Sequence, residues 1–294
     1  MYYPAYDCDL RALIDADEKA SVPAFADNLK LDPILGTNRD ELIRTILTVI
    51  NDPNLPRAGE KDRWDKVWPE VLERYETEGE AALIPPYFRK AQPLRVNGVF
   101  VFASDPNIEY EFYRRLTRWV FSKYFSDVSS VYEFGCGSCI NLANMRKWFP
   151  NHRLTGLDWV SASTRIAERL GICGGYFNFF DGGWSMPLGK DVGVLTVGAM
   201  EQTGDRWRPF IDYLLKSHPA ICVHIEPVLE LYDEHSLFDY LAVLYHRARG
   251  YWEGFIPFLK ELETKGRAEI LRLKRCRFGS TYLEGYSQIV WRPT

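Results

Sequence analysis

A glycine-rich turn is the part of the sequence with the clearest chemical potential. Val131–Phe134 has the apolar pattern of a buried strand, Gly135-Cys136-Gly137 follows directly, and a helical pattern begins at Ile140. Glycines allow the backbone to approach a ligand closely, and the N–H groups at a helix N-terminus can then bind its polar atoms. A dinucleotide fingerprint would need a glycine in place of Ile140, and a P-loop would need Gly-Lys-Ser/Thr, which is absent. We therefore expect a ligand other than NAD, FAD or ATP.

Polar side chains follow several of the other predicted strands. In parallel α/β sheets, ligands bind beyond the carboxyl ends of the strands, so these side chains are expected near the glycine turn. A carboxylate or a neutral histidine there can accept a proton during catalysis. His224 and Glu226 end one strand and share a face because strand side chains alternate, although a core histidine and a structural acid remain the alternative for this pair. The predicted catalytic residues are Glu201, His224 and Glu226.

The elements that must position these groups lie mainly after residue 105. There, strand patterns alternate with helical patterns, which indicates a parallel sheet covered on both faces. The last two strand patterns, 268–278 and 285–291, have no helix between them and predict an antiparallel hairpin at the sheet edge. The strands before them are predicted over 131–134, 153–157, 175–180, 192–197 and 220–225.

The first 105 residues have a different pattern. Apolar residues recur at helical spacing over 39–50 and 61–78, and Pro69 predicts a break or kink in the second helix. Asn97-Gly98 predicts a hairpin within 96–103. We therefore predict a helical N-terminal cap over residues 1–105 that covers the substrate of a domain over 106–294.

The order of these motifs resembles that of the class I S-adenosylmethionine-dependent methyltransferases. The first motif of this family reads acidic-x-Gly-x-Gly-x-Gly. Glu133, Gly135 and Gly137 match it, while Cys139 replaces the final glycine. Asp158 ends the next predicted strand, where the family places an acidic residue. Similar signals continue in the order of the family through the last predicted strand, over more than half of the chain.

The resemblance implies a fold, a cofactor and roles for individual residues. The fold would be α/β, with a Rossmann-like, mostly parallel sheet of seven strands, helices on both faces and an antiparallel last strand. The cofactor would be S-adenosylmethionine, with S-adenosylhomocysteine as product. Asp158 would accept hydrogen bonds from the ribose, Trp159 would lie against the adenine, and Asp181 would accept from the adenine amino group. The implied cofactor-binding residues are Glu133, Gly135, Cys136, Gly137, Asp158, Trp159, Asp181, Gly182 and Gly198.

The acceptor site is expected between the cap and the segment 229–266, which is longer than one crossover helix needs. His246, Arg247, Arg249 and Tyr251 combine cations with aromatic rings, a composition that can bind an anionic or sugar-like acceptor; the alternative is packing alone. We predict methyl transfer to a hydroxyl or amine of a small molecule, sugar-like or a secondary metabolite. The predicted substrate-binding residues are Gln202, His246, Arg247 and Tyr251.

The net charge bears on the alternative functions, nucleic-acid methylation first. The 294-residue chain has a net charge of −4, which provides no global basic field for nucleic acid. RNA or DNA methylation remains an alternative because of a basic strand pattern and the segment Ile84–Tyr87 (Ile-Pro-Pro-Tyr), which lacks the polar residue that base amino-methyltransferases have before the prolines. An inactive cofactor-binding protein and a transferase of another group are further alternatives. The basic residues are Arg267, Arg272, Lys274, Arg275 and Arg277.

The cysteines and the hydropathy pattern predict the setting. Of the six cysteines only Cys136 and Cys139 lie close together, and a structural zinc site would need a second pair of ligands, so we predict no metal. No apolar run reaches the roughly 18 residues that span a bilayer. Met1–Leu10 lacks the pattern of a secretory signal. Reduced cysteines in such a chain predict a cytoplasmic protein, whose oligomeric state stays open.

Overall fold

The structure is a computed structural model that describes residues 8–25, 29–88, 91–182, 184, 186 and 188–294. Most of Met1–Leu10, the segment in which the sequence shows no secretory signal, lies outside the described residues. None of the described helices is long and apolar enough to cross a bilayer. The described helices are α1 (Leu10–Ile14), α2 (Gly36–Ile50), α3 (Lys61–Glu78), α4 (Ile108–Tyr124), α5 (Ile140–Trp148), α6 (Ser161–Arg169), α7 (Arg208–Ser217), α8 (Leu237–Arg249) and α9 (Phe255–Thr264). The strands are β1 (Leu31–Pro33), β2 (Leu94–Val96), β3 (Val99–Ala103), β4 (Ser130–Phe134), β5 (Arg153–Asp158), β6 (Cys173–Tyr176), β7 (Val192–Val197), β8 (Ile221–Glu226), β9 (Ala268–Lys274), β10 (Phe278–Gly279) and β11 (Ser287–Pro293).

The larger of two sheets has the strand order β6-β5-β4-β7-β8-β11-β9. The first five strands in this order run parallel, and β11 is antiparallel to both of its neighbours. This confirms the predicted sheet of seven strands, mostly parallel, with an antiparallel last strand. The strand order reverses between β4 and β7, and in open α/β sheets ligands bind at such a switch point.

Apolar side chains cover both faces of this sheet. Along β8, Val223 packs in the cluster that includes α4, α5 and α6, while its neighbour Cys222 packs in the cluster that includes α7 and α9. All six residues of β8 are buried. A strand covered on both faces has no access to water and is usually apolar. The polar His224 and Glu226 within β8 therefore need hydrogen bonds inside the protein.

The N-terminal part contains a small sheet in addition to the predicted helices. Its strand order is β1-β3-β2-β10, and β10 comes from the C-terminal part of the chain. Asn97 and Gly98 have φ of 46° and 87°, which suits the tight turn that joins β2 to β3. The N-terminal cap is thus not purely helical, and the division of the chain at residue 105 stays a prediction.

Hydrogen bonds from two buried arginines connect this small sheet to α8. Arg275 donates to both carboxylate oxygens of Asp239 and to Glu284, each at 2.6 Å. Arg95, on β2, donates to the carbonyl oxygen of Phe238 at 2.5 Å. Since an unpaired buried charge is costly, these contacts fix α8 and the small sheet relative to each other.

Several predicted elements differ in detail. β6 ends at Tyr176, before the predicted end at residue 180, because Phe177 leaves the strand to pack against Phe134 and Phe210. The pattern over 268–278 forms two strands, β9 and β10. β9 is the edge strand and β11 pairs with it antiparallel, which confirms the predicted antiparallel hairpin at the sheet edge.

Pro69 lies within α3 without ending it. Proline removes one hydrogen bond to the carbonyl group four residues earlier. That carbonyl belongs to Asp65, and both residues are on the exposed face of the helix. Water can therefore replace the lost donor, which explains why α3 continues to Glu78 although a break or kink was expected.

Candidate active site

The turn between β4 and α5 depends on its two glycines. Gly135 and Gly137 have φ of 73° and 50°, in the left-handed region that favours glycine. A Cβ atom at Gly135 would lie 2.6 Å from the Cβ of Ala199, and one at Gly137 would lie 2.6 Å from Cζ2 of Trp68. The glycines therefore let the turn contact both α3 and the loop that follows β7.

A cleft beside this turn encloses about 730 Å³, open solvent included. Asp158 lines it, and its carboxylate accepts the N–H groups of Gly137 and Val160, each at 2.9 Å. Burial raises the pKa of Asp158 to about 6. Each carboxylate oxygen has a second lone pair, so the group can still accept from a ligand. Of the predicted cofactor residues, the cleft is lined by Glu133, Gly135, Cys136, Gly137, Asp158, Trp159 and Gly198.

Glu133 is a buried carboxyl group in this cleft with an unused acceptor. Its Oε1 accepts from Nδ2 of Asn141 at 2.6 Å, and the Asn141 carbonyl oxygen accepts from the hydroxyl of Tyr113. Oε2 of Glu133 has no hydrogen-bond partner among the described residues. Burial raises the pKa of this group to about 8. A buried acceptor without a donor is costly, so Oε2 is suited to a donor that a ligand supplies.

Aromatic side chains form two walls of the cleft. Trp159 lies 5.5 Å from Phe180, measured between ring centroids. Trp64 and Trp68, both from α3, stack at 5.2 Å with an angle of 12° between their planes. Tyr87 also lines the cleft. The sequence indicated only a packing stripe for the two α3 tryptophans, because nothing local distinguishes a ring that packs from one that lines a cleft.

Asp181 and Gly182 do not line this cleft. Asp181 is exposed, and its carboxylate accepts from Nδ2 of Asn178 at 2.7 Å and from the hydroxyl of Tyr176 at 3.2 Å. Because β6 already ends at Tyr176, Asp181 and Gly182 follow in a loop outside the cleft. We therefore do not propose Asp181 or Gly182 as cofactor-binding residues.

A second, larger cavity adjoins the first and encloses about 1490 Å³, open solvent included. Most of its residues come from α2, α3, α4, α8 and the loops after β7 and β10. Five residues line both cavities, and the wall they form is called the junction here. These shared residues are Trp64, Tyr87, Val197, Gly198 and Gln202.

Glu201 is at the wall of the second cavity, and Glu226 lies behind it. Oε1 of Glu226 accepts the N–H groups of Ala199 and Met200 at 3.2 and 3.1 Å, and Oε2 accepts that of Glu201 at 3.4 Å. Burial and the adjacent Glu201 carboxyl raise the pKa of Glu226. Oε1 of Glu201 accepts from Gln202, while Oε2 has no partner among the described residues. Glu226 thus holds the loop in place, and Glu201 offers the free acceptor.

His224 lies outside both cavities and is fully buried. Its Nδ1 is 2.8 Å from Oγ1 of Thr196, and its Nε2 accepts from Nε1 of Trp291 at 3.0 Å. Burial lowers the pKa of His224 to about 3. Both ring nitrogens are engaged and the ring stays neutral, so we do not propose His224 as a base.

The predicted substrate residues of α8 and its following loop separate into two groups. Tyr251 lines the second cavity. His246 is buried behind it, with Nε2 2.7 Å from the carbonyl oxygen of Trp252, and burial lowers its pKa to about 4. Arg247 is exposed and donates to Glu234 at 3.0 Å. We therefore do not propose His246 or Arg247 as substrate-binding residues, whereas Gln202 and Tyr251 remain candidates.

Several residues of the second cavity were not predicted. Glu109, on α4, accepts from Nε2 of Gln92 at 2.5 Å and from the hydroxyl of Tyr286 at 2.9 Å, and burial raises its pKa to about 7. Arg63 also lines the cavity, as does Arg249, which the sequence had indicated among the cations that can bind an anionic acceptor. The helical spacing of these residues could have indicated a buried face, but not which cavity that face would meet.

The described residues include no group that could hold a metal ion. Cys136 and Cys139 are free thiols whose sulfur atoms lie 3.6 Å apart. The hydrogen bond that Cys136 shares with Cys139, together with burial, raises the pKa of Cys136. Both thiols are buried in the turn between β4 and α5.

The strand order, with an antiparallel strand between β8 and β9, and the glycine turn after β4 define a class I methyltransferase fold. The chain matches no protein-family model and no curated protein. Among solved structures it is similar to the N-methyltransferase NodS from Bradyrhizobium japonicum WM9 in complex with S-adenosylhomocysteine. The identity is 16% and the TM-score 0.48, over 78% of this chain and 99% of that chain.

Two further solved structures illustrate the range of this likeness. The plantazolicin methyltransferase BpumL, in complex with S-adenosylhomocysteine, is 11% identical with a TM-score of 0.45, over 86% of this chain and 99% of that chain. The 16S rRNA methylase ArmA is 15% identical with a TM-score of 0.42, over 77% and 98%. At such values the roles of individual residues rest on this chain's own geometry.

Proposed function

We propose that the chain is an S-adenosylmethionine-dependent methyltransferase that acts on a hydroxyl or amine of a small molecule. The junction between the two cavities carries this proposal. Methyl transfer is an in-line displacement, in which donor and acceptor must meet at short range and in the correct orientation. Tyr87, Gly198 and Gln202 line both cavities, so ligands in the two cavities can meet there.

The first cavity has groups suited to each part of the cofactor. Asp158 would accept from the ribose hydroxyls, and Trp159 and Phe180 would contact the adenine. Oε2 of Glu133, which lacks a donor, would accept from the amino group of the methionine part. When bound, the cofactor supplies a methyl group activated by a positively charged sulfur.

Glu201 is the proposed proton acceptor. The oxygen or nitrogen of the acceptor forms a bond to the methyl carbon, and the sulfur–carbon bond breaks with its electron pair left on sulfur. The acceptor's proton passes to Oε2 of Glu201, which has no partner within the described part of the chain. Glu226 positions Glu201 through the backbone of the loop. A carboxylate in this position contributes as a general base.

The N-terminal part supports a small acceptor. Trp64, Trp68 and Tyr87 come from this part and line the cofactor cleft, which supports the proposal that this part covers the bound ligands. Three of the five basic residues, in contrast, have internal partners: Arg272 pairs with Asp15 at 2.8 Å, Lys274 donates to a backbone carbonyl at 2.8 Å and Arg275 pairs with Asp239 at 2.6 Å. Only Arg267 and Arg277 of this set are exposed. A salt-sensitive gel shift with RNA or DNA would contradict this assignment.

The redox state of the cysteines indicates the cellular compartment in which the protein acts. The described residues form no disulfide. Disulfides are rare where thiols are kept reduced, as in the cytosol. We therefore propose that the protein acts in the cytoplasm.

The test of the cofactor is calorimetry with S-adenosylmethionine and S-adenosylhomocysteine. We expect both to bind the wild type, and Asp158→Asn to weaken binding about tenfold or more, because an amide cannot accept at both positions. The matched control is Asp181→Asn, an acidic residue near the end of the next strand that does not line the cleft, and its affinity should equal that of the wild type. Absence of binding to the wild type, or equal losses in both variants, would contradict the proposal.

A further inference from the structure

An arginine without a close ion pair lies in the wall of the second cavity. Arg249, the last residue of α8, is only 5% exposed. Its Nη1 donates to the hydroxyl of Tyr245 at 2.9 Å, whereas its Nε and Nη2 are buried without a hydrogen-bond partner. No ion pair within 4.0 Å involves Arg249 among the described residues. A buried charge in this state is unfavourable unless something else neutralises it.

A second arginine, from the N-terminal part of the chain, lines the same cavity. Arg63, on α3, lies over the ring of Trp64 at 4.8 Å from the centroid. Burial, together with the positive charge of Arg249, lowers the pKa of Arg63. The described residues also provide Arg63 with no ion pair. Two like charges that face one cavity attract an anion to it.

The position of Arg249 is fixed before any ligand binds. Its guanidinium lies over the ring of Tyr251 at 4.8 Å, and its carbonyl oxygen accepts the N–H of Ala58 at 2.7 Å. The latter bond connects α8 to the loop that precedes α3, and thus to Arg63. A fork of N–H donors held in this way is suited to bidentate binding of a carboxylate or phosphate.

We propose that the second cavity binds an anionic group of the acceptor, a carboxylate or a phosphate, between Arg63 and Arg249. The identification of this ligand as the acceptor rests on the proposed function; the anion site itself does not. Glu201 lines the same cavity. An acceptor whose anion is held by the two arginines can therefore present its hydroxyl or amine to Glu201, and neutral molecules of the same shape would bind more weakly.

The test measures the melting temperature of the full chain with three probes at constant ionic strength: inorganic phosphate, benzoate and the neutral benzamide. A ligand that binds the folded state raises the melting temperature in a saturable way. We expect phosphate or benzoate, but not benzamide, to do so. Arg63→Gln and Arg249→Gln should each weaken this binding about tenfold or more. Arg247→Gln is the matched control, because Arg247 is on the same helix but pairs with Glu234 on the surface.

The outcomes separate the anion site from the cofactor. Saturation by phosphate alone would indicate phosphorylated acceptors, and saturation by benzoate alone would indicate carboxylic acids. Equal anion binding in the wild type and in Arg63→Gln would overturn the proposal, as would absence of binding of both anions to the wild type. Calorimetry with S-adenosylhomocysteine on the same variants should give wild-type affinity. If the wild type bound the anions but did not bind S-adenosylhomocysteine, that result would contradict the proposed function and leave the anion site intact.

Discussion

Glu133 provides a sharp test of the cofactor cleft. Its carboxyl group is buried, with one oxygen unused and a pKa of about 8. At pH 7, one unit below this pKa, about nine-tenths of the free protein holds a proton on this group. A ligand that donates a hydrogen bond or brings a positive charge to Oε2 favours the ionised form. Binding of S-adenosylhomocysteine should therefore release a proton from Glu133.

The expected magnitude follows from the two acids in the cleft. Glu133 should release about 0.9 of a proton at pH 7 and about 0.1 at pH 9, where it is already ionised in the free protein. Asp158, with a pKa of about 6, is mostly ionised at pH 7 and can add only about 0.1. The release should therefore fall as pH rises from 7 to 9.

The assay is calorimetry in two buffers of different ionisation enthalpy, such as phosphate and Tris, because the difference in heat gives the number of protons exchanged. In Glu133→Gln the release at pH 7 should fall close to zero while some affinity remains. Asp181→Asn is the matched control, because it keeps both cleft acids and should release protons as the wild type does. Equal release from the wild type and Glu133→Gln would refute the assigned contact.

Three further predictions concern other parts of the site. Gly137→Ala introduces a side chain at positive φ, 2.6 Å from Trp68, and should lower the free energy of unfolding by at least about 1 kcal/mol in urea denaturation; Gly189→Ala, which meets no atom within 4 Å, should not. Glu201→Gln should abolish most turnover once an acceptor is known and leave the calorimetric affinity for S-adenosylhomocysteine unchanged. His224 has a folded pKa of about 3, below the unfolded value of 6.5, so stability is lost as pH falls through this range by about 1.4 kcal/mol per unit; His224→Gln should show a smaller slope in denaturation at pH 4 to 6.5.

The sequence predicted the sheet because its signals are local and repeated. Strand and helix patterns alternate along the chain, and the glycine turn marks the switch point at the end of β4. Glu133, Gly137 and Asp158 could be placed because they lie within or directly after strands, whose ends meet at one edge of the sheet. Their roles as cleft residues needed only the correct strand order.

The residues that the sequence misplaced depend on contacts between distant parts of the chain. His224 and Glu226 share one face of β8, but the ring of Trp291, from the last strand, occupies one nitrogen of His224. Arg247 and Arg249 differ only by their position around α8, which decides that Arg249 meets the cavity and Arg247 the solvent. No local pattern distinguishes these cases, because the partner surfaces are formed only in the folded chain.

A crystal structure of the protein with S-adenosylhomocysteine tests the central claim most directly. We expect the ligand to occupy the cleft lined by Gly137, Asp158 and Trp159, with its amino group near Oε2 of Glu133 and its sulfur at the junction lined by Tyr87 and Gly198. Density for the ligand elsewhere, or a sulfur directed away from the second cavity, would contradict it.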